Sequence, residues 1–276
     1  MTDLPLGDVL ANLGWSALAV VVLLAGVMAL ALAIHNQSII DIVWGPGFVV
    51  VAIVSYLLSA GAGGDDTRRL VVLLLTAAWG LRLGLHIGVR NHGKGEDRRY
   101  TALMRKRTGP LVPFLIRKIY GFQGVIMWVV SLPVQVAMYE RTSLGVLGWL
   151  AVALWLVGFL FESVGDLQLV RFKADPANEG VIMDRGLWSW TRHPNYFGDA
   201  CVWVALFVLA LGHPLGLVTV VSPVLMTWLL VRGSGAALLE RGMARRRGQA
   251  YADYVARTSG FFPRPPKRQS VGGPSA

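Results

Sequence analysis

Seven long apolar runs constrain this chain more than any other feature of its sequence. They lie at about residues 14–34, 38–60, 69–89, 121–139, 145–164, 197–213 and 215–231. About 20 consecutive apolar residues can cross the hydrocarbon core of a bilayer as a helix. The sequence therefore predicts an all-α polytopic membrane protein with about seven transmembrane helices. The last two runs are short and lie close together, which favours a tight hairpin.

Little of the chain is left over for a separate soluble domain. Hydrophobic residues make up 54% and charged residues only 15% of the 276 residues, and the polar stretches are mostly short connections. We therefore predict one membrane-embedded domain over residues 1–267. The last nine residues, 268–276, are rich in Pro, Gly and Ser and are predicted to be a disordered tail.

The distribution of basic residues predicts an orientation. The segments 90–118 and 166–196 and the tail from residue 232 hold 22 of the 26 Lys and Arg residues. Seven spans place these segments on one side, and the positive-inside rule makes that side cytoplasmic. The formal charge of +10 is then explained by this concentration of basic residues on the cytoplasmic side, where they attract anionic membrane lipids. Nucleic acid is therefore not an expected partner.

Cysteine usage restricts the possible chemistry. The lone Cys201 excludes a disulfide within the chain and a multi-cysteine metal site, and no metal site is predicted. A single apolar-flanked cysteine is more often a small buried hydrophobe than a nucleophile.

Several ionisable residues fall inside the apolar runs, where they are costly and often functional. Arg82, His86 and Arg90 recur every four residues in the third run and form one polar stripe. Arg82 lies deepest and needs a ligand or an acidic partner, for which Asp41 and Glu162 are candidates. Structural alternatives remain open, because Asp41 could cap a helix and His86 could be a hydrogen-bonded core residue.

The polar segment 166–199 is the least expected feature beside a bilayer. Pro194 suits the first turn of a helix with His193 as its cap, so Asn195, Asp199 and Trp203 share one helical face. Such a face fits an amide-bearing ring or a ribose. A helix N-terminus next to Arg192 also favours a phosphate. Burying Asp199 is costly, which favours a ligand site over a merely capped helix.

The chain also resembles a known group of membrane proteins. Its motifs are IDIVWGPGF (40–48), WGLRL (79–83), GKGEDRRY (93–100), DLQLVRFKADPAN (166–178), GLWSWTRHPNYFGD (186–199) and LLERGMARRRGQAYADYVARTSGFFPRPPK (238–267). They resemble the C-terminal domain shared by steroid 5-alpha-reductases, sterol C14-reductases and uncharacterised bacterial membrane proteins. The resemblance to the bacterial set covers most of the chain and implies a location in the bacterial inner (cell) membrane.

The resemblance implies an enzyme, an NADPH-dependent oxidoreductase with its cofactor site facing the cytoplasm. Asp166, Asn195, Asp199 and Trp203 match cofactor-contacting positions of steroid 5-alpha-reductases, and Lys173 falls near their phosphate-binding arginine. The expected cofactor site comprises Asp166, Arg171, Lys173, Asn178, Arg192, His193, Asn195, Tyr196, Asp199 and Trp203. Catalytic donors are expected among Arg82, His86 and Tyr100.

The expected reaction reduces a carbon–carbon double bond conjugated to a carbonyl in a membrane-soluble lipid, steroid-, isoprenoid- or acyl-like. A competing interpretation comes from isoprenylcysteine carboxyl methyltransferases, which bind S-adenosylmethionine and are similar around Arg192, His193 and Pro194. A third is a lipid-binding or scaffold protein without a nucleotide ligand. The expected partners are thus a lipid-like substrate and membrane lipids; the sequence gives no oligomeric state.

Overall fold

The computed structural model describes residues 4–233 and 235–266, and these residues are mainly helical. The α-helices, in chain order, are α1 Leu6–Ala33, α2 Ile39–Leu58, α3 Asp66–Asn91, α4 Arg98–Arg105, α5 Leu111–Leu115, α6 Gly121–Val130, α7 Leu132–Ala137, α8 Gly145–Ala174, α9 Leu187–Trp190, α10 Pro194–Leu209, α11 Val221–Trp228 and α12 Ala236–Arg257. Short 3-10 segments cover Pro176–Asn178 and Pro214–Val220, and π-helical turns cover Ile116–Tyr120 and Leu229–Gly233. Within the described ranges there is no β-strand, only an isolated parallel bridge between Thr191 and Ser259.

Five helical stretches are long and apolar enough to cross a membrane: Leu6–Ala33, Ile39–Leu58, Asp66–Asn91, Gly145–Ala174 and Pro214–Arg257. Helix α10 is a shorter apolar helix. The prediction of an all-α polytopic membrane protein is therefore confirmed, whereas seven spans and their orientation stay predictions. In the fifth stretch the apolar part is 214–231, and α12 carries seven Asp, Glu and Arg residues. We therefore place α12 outside the hydrocarbon.

The predicted run 121–139 is broken in the structure. Helix α6 ends at Val130 and α7 begins at Leu132, with Ser131 between them. Pro133 follows at once and has no backbone N–H to donate, so a short new helix starts there. By contrast, α2 continues through Pro46, so this proline does not end its helix.

The chain divides into two compact units. Unit 1 comprises Met1–Trp149 and Leu206–Ser222, and unit 2 comprises Leu150–Ala205 and Pro223–Ala276. The single domain over 1–267 stays a prediction, and the predicted tail 268–276 lies outside the described residues. In unit 1, α2 and α3 approach closely, because a methyl group at Gly45 would lie 2.2 Å from the carbonyl oxygen of Gly80.

Buried polar groups tie the helices of unit 1 to one another. Asn12 of α1 donates to Ser55 Oγ of α2 at 3.1 Å, and Ser16 of α1 donates to Gln135 of α7. Gln135 in turn donates to Ser131 Oγ at 2.8 Å. Helices surrounded by lipid gain no hydrophobic free energy when they associate. Interhelical hydrogen bonds of this kind and close packing therefore hold the bundle together.

Candidate functional site

Two helices of unit 2 cross at a backbone contact that positions the polar segment. A methyl group at Gly158 of α8 would lie 2.5 Å from Gly198 O of α10, and one at Gly198 would lie 2.4 Å from Gly158 O. Two turns further along α8, Gly165 faces Pro194, and a methyl group at Gly165 would lie 3.1 Å from Pro194 Cγ. The absence of side chains at these positions lets α8 and α10 touch by their backbones.

This crossing places four polar side chains along the adjoining stretches of α8 and α10. Glu162, Asp166 and Asp199 are 3%, 7% and 8% exposed. Asn195 Nδ2 donates to Asp166 Oδ1 at 3.1 Å, which links the two helices directly. Trp203 is fully buried on α10. The structure therefore brings together Asp166 and Asn195, and keeps Asp199 and Trp203 buried on α10.

The start of α10 follows the local chemistry expected from the sequence. The helix begins at Pro194, and the amide of Phe197 donates to the carbonyl of His193 at 3.0 Å. His193 therefore caps the helix with its backbone. Its imidazole stacks on the Tyr196 ring with 5.3 Å between centroids and 8° between planes.

Arg192 and His193 share one carboxylate, that of Glu240 in α12. Arg192 Nε donates to Glu240 Oε1 at 2.9 Å, and His193 Nε2 lies 2.9 Å from the same oxygen. Arg192 Nη1 also donates to Thr258 O at 2.9 Å. Burial opposes ionisation of Glu240, but the hydrogen bonds from His193 and Arg192 outweigh it and hold the pKa of the carboxyl at about 2.

The segment leading into α10 is also fastened to the chain that follows α12. Arg192 N donates to Ser259 O at 2.9 Å, Arg264 N donates to Trp190 O at 3.0 Å, and Thr191 Oγ1 donates to Phe261 O at 2.8 Å. Tyr254 adds a hydrogen bond from its hydroxyl to Trp188 O at 2.7 Å. The guanidinium of Arg192 is thus oriented by protein groups, which favours a role in shaping the site.

The remaining predicted cofactor residues lie at the end of α8. Arg171 and Lys173 are exposed in its last turn. Both cations are therefore accessible to a soluble anion. Asn178 Nδ2 donates to Phe172 O at 3.0 Å, so this amide closes the C-terminus of α8. Asn178 is therefore explained by helix capping.

Unit 1 contains a second polar cluster, around Asp41. Tyr100 donates its hydroxyl proton to Asp41 Oδ1 at 2.6 Å, and Arg99 Nη2 lies 2.6 Å from Asp41 Oδ2. Gln123 Nε2 donates to the Tyr100 hydroxyl oxygen at 3.3 Å. Burial and the nearby Asp41 carboxylate raise the pKa of Tyr100, so the phenol keeps its proton.

The other two predicted catalytic residues lie in α3. Arg82 and His86 are one turn apart and partly exposed. The cap role open to Asp41 is not seen, because the start of α2 has no side-chain cap. The carboxylate of Asp41 is held by Arg99 and Tyr100.

Sequence reasoning missed two members of these clusters, Glu240 and Arg99, and named a third, Asp41, without these contacts. Glu240 lies in a strongly basic helix, and only its isolation as the single acidic residue of 236–252 marks it in the sequence. Arg99 lies in a charged stretch, and such a pattern is equally typical of a solvent-exposed surface. Asp41 stood out in the sequence, but its contacts with Arg99 and Tyr100 depend on tertiary structure.

Carboxylate oxygens and an amide complement ligands that offer hydroxyl and amino donors. The nicotinamide carboxamide and ribose hydroxyls of NADPH have this chemistry, and the exposed cations of α8 suit its phosphates. Among residues 4–233 and 235–266 no group of three or more His, Cys, Asp or Glu side chains could hold a metal ion. The carboxylates and the amide of unit 2 fit an organic ligand that is rich in hydrogen-bond donors.

Comparisons with known proteins identify a family without giving an activity. The family model described as "Protein of unknown function (DUF1295)" matches residues 27–258. An uncharacterised protein of the fission yeast Schizosaccharomyces pombe is 24% identical over 217 residues, which cover 69% of this chain and 62% of the relative. The match thus spans less than two thirds of the relative's length. No solved structure matches the chain.

Proposed function

Since the chain belongs to the DUF1295 family, whose description assigns no activity, we propose a function from its residues. The proposed reaction is the NADPH-dependent reduction of a carbon–carbon double bond, conjugated to a carbonyl, in a membrane-soluble lipid. One observation carries the proposal: in unit 2, buried Asp166 accepts from Asn195, and Asp199 is buried one turn along α10. Buried carboxylates beside an amide on two packed helices form an acceptor-rich face, which supports a ligand that offers amide and hydroxyl donors.

Each part of unit 2 has a role in this proposal. The faces of α8 and α10 that carry Asp166, Asn195 and Asp199 accept hydrogen bonds from the amide and hydroxyl groups of the cofactor. The exposed Arg171 and Lys173 attract its phosphates from solution and favour NADPH over NADH. Glu240 binds Arg192 and His193 just before the N-terminus of α10, so that this end of the helix stays ordered.

Held by Asp166, Asn195 and Asp199, NADPH would supply a hydride to the beta carbon of the double bond and leave as NADP⁺, and a proton from water would complete the reduction at the alpha carbon. Negative charge then develops on the conjugated carbonyl oxygen, and a hydrogen-bond donor must stabilise it. We assign this role to the group Arg82, His86 and Tyr100. Asp41 and Gln123 both bind the Tyr100 hydroxyl. Its one proton is donated to Asp41, so in this role Tyr100 would exchange that acceptor for the carbonyl oxygen.

Thermal shift of detergent-purified protein tests ligand class. NADPH at about 100 times its Kd should stabilise the fold by roughly 2.7 kcal/mol, and NADH should do so only at higher concentration. Asp199→Ala should lose the NADPH shift while the protein stays folded. Asp253→Ala, which removes an exposed carboxylate of α12, is the matched control and should keep it. A shift with S-adenosylmethionine alone would favour the methyltransferase, and no shift with either would favour a scaffold.

Deuterium transfer tests the chemistry. Membranes containing the protein, 4-deuterated NADPH and a lipid extract should yield a lipid with deuterium at the carbon beta to a carbonyl, detected by mass spectrometry. Arg82→Leu should lower turnover more than NADPH affinity, because a charge-stabilising donor acts chiefly in the transition state. Transfer of labelled methyl from S-adenosylmethionine, with no deuterium in any lipid, would refute the reductase.

A further inference from the structure

A cavity of about 210 Å³ opens in unit 1 where three apolar helices end. Helix α1 ends at Ala33, α2 begins at Ile39 and α3 ends at Asn91. These are candidate membrane spans, so their common end lies at the boundary between hydrocarbon and lipid headgroups. The proposed reduction does not use this cavity.

The walls of the cavity are both apolar and charged. Ile34, Ile39 and Ile42 line its apolar side, and Lys94 and Asp97 bring one positive and one negative charge to it. Apolar and charged lining side by side suits an amphiphile at a membrane surface better than a soluble anion. The opposite charges, in turn, suit a headgroup that itself carries both signs.

The cavity is held open by hydrogen bonds that do not involve a ligand. The amide of Asp97 donates to Ser38 Oγ at 2.7 Å, and the amide of Gln37 donates to Glu96 Oε1 at 2.8 Å. Asn36 Oδ1 accepts from the amide of Ser38 at 3.0 Å. The first two bonds fix the loop before α4 against the segment before α2, and the third orders that segment itself, so the site is formed before any lipid arrives.

The charges of the cavity are also fixed. Asp97 caps α4 by accepting from the Arg99 amide at 2.8 Å, and Arg99 Nε lies 3.1 Å from the same oxygen. Arg99 Nη2 lies 3.2 Å from the other carboxylate oxygen, Asp97 Oδ2. Each oxygen accepts two hydrogen bonds, so the ionised carboxylate can accept one more, at Oδ2. The amides of Asn36 and Asn91 add neutral donors beside Lys94.

We propose that this cavity binds the headgroup of an aminophospholipid. The phosphate lies against Lys94 and the amides of Asn36 and Asn91, and the primary ammonium donates to Asp97. The glycerol and the first methylenes of an acyl chain lie along Ile34, Ile39 and Ile42. Other headgroups bind less well. A headgroup without a primary ammonium places a phosphate near Asp97 with no donor between them, and a quaternary ammonium has no N–H to donate to Asp97.

Short-chain lipids titrated into detergent-purified protein test this site by thermal shift. Phosphatidylethanolamine should raise the melting temperature at lower concentration than phosphatidylglycerol or phosphatidylcholine of the same chains. Lys94→Gln should weaken the ethanolamine response about tenfold, the loss expected for one charge-assisted contact. Lys106→Gln removes an exposed lysine at the end of α4 that does not line the cavity, and should change nothing.

Asp97→Asn separates headgroup recognition from general charge attraction. The amide oxygen still caps α4, so the fold is kept, but preference for phosphatidylethanolamine over phosphatidylglycerol should be lost. The proposal is overturned if phosphatidylglycerol stabilises the wild type as well as phosphatidylethanolamine. It is also overturned if Lys106→Gln weakens the response as much as Lys94→Gln, or if Lys94→Gln leaves it intact.

Discussion

Two glutamates of this protein, one in each unit, lie near an arginine and yet have opposite pKa shifts. Glu140 of unit 1 is 1% exposed, and burial raises its pKa to about 7 although Arg68 is nearby. Glu240 of unit 2 has a pKa of about 2. Proximity to a guanidinium is thus not sufficient to keep a buried carboxylate charged.

The direction of the arginine's hydrogen bonds explains the difference. Arg68 gives its donors to backbone carbonyls, those of Leu209, Thr142 and Ser143, and Glu140 Oε1 has no hydrogen-bond partner. Arg192 instead aims Nε at Glu240 at 2.9 Å, and His193 reaches the same oxygen. Hydrogen bonds that an arginine donates directly to a carboxylate offset the cost of desolvating that carboxylate. A nearby guanidinium whose donors point elsewhere offsets this cost only in part.

The largest effect is expected from removing the better-paired carboxylate. Glu240→Ala leaves Arg192 and His193 without their acceptor and should destabilise the protein by on the order of 3 kcal/mol at neutral pH. Because the folded pKa is depressed, this stability is present above pH of about 4.5 and is lost as pH falls through about 2. Apparent Tm in detergent between pH 7 and pH 2 measures it.

Glu179→Ala is the control for this prediction, because Glu179 is an exposed carboxylate of the same unit. It should leave Tm nearly unchanged at every pH. Equal losses in both variants would mean that the contacts of Glu240 with Arg192 and His193 do not contribute to stability.

An effect of opposite sign is expected at Glu140. Because the folded pKa of this acid is raised to about 7, its contribution is fully present below about pH 4.5 and is lost as pH rises through 7. Glu140→Gln should therefore stabilise the protein at pH 8 by about 2 kcal/mol. Tm of the wild type should fall between pH 5 and pH 8, while that of the variant should fall less.

Asp8→Asn, at an exposed acid of unit 1, is the matched control and should keep the wild-type pH profile. If Glu140→Gln is less stable than the wild type at pH 8, then Glu140 is ionised and well paired. The contrast between the two glutamates would then fail.

The smallest effect is expected when the direction of the hydrogen bonds changes but the positive charge at residue 192 is kept. Arg192→Lys keeps the cation but cannot reach both Glu240 and Thr258 O as the guanidinium does, so we expect a loss of about 1 kcal/mol. Arg246→Lys, on an exposed part of α12, should be neutral. Equal Tm values for Arg192→Lys and the wild type would show that charge alone is sufficient there.

The sequence alone was enough to predict the class of fold. Apolar runs of spanning length allow only helices in a bilayer, because each helix satisfies its own backbone hydrogen bonds. The start of α10 at Pro194 and the shared face of Asn195 and Asp199 follow from local rules of helix geometry. The bounds of α2 and α3 fall within three residues of the predicted apolar runs, whereas α8 continues to Ala174, about ten residues beyond its predicted run.

Contacts between distant residues required the tertiary structure. The break between α6 and α7 at Ser131, the clamp of Glu240 on Arg192 and His193, and the pairing of Tyr100 with Asp41 join segments whose sequence separation carries no local signal. The opposite pKa shifts of Glu140 and Glu240 have the same origin. Local sequence fixes which groups a helix face presents, but only packing decides which donor meets each acceptor and how much water remains around them.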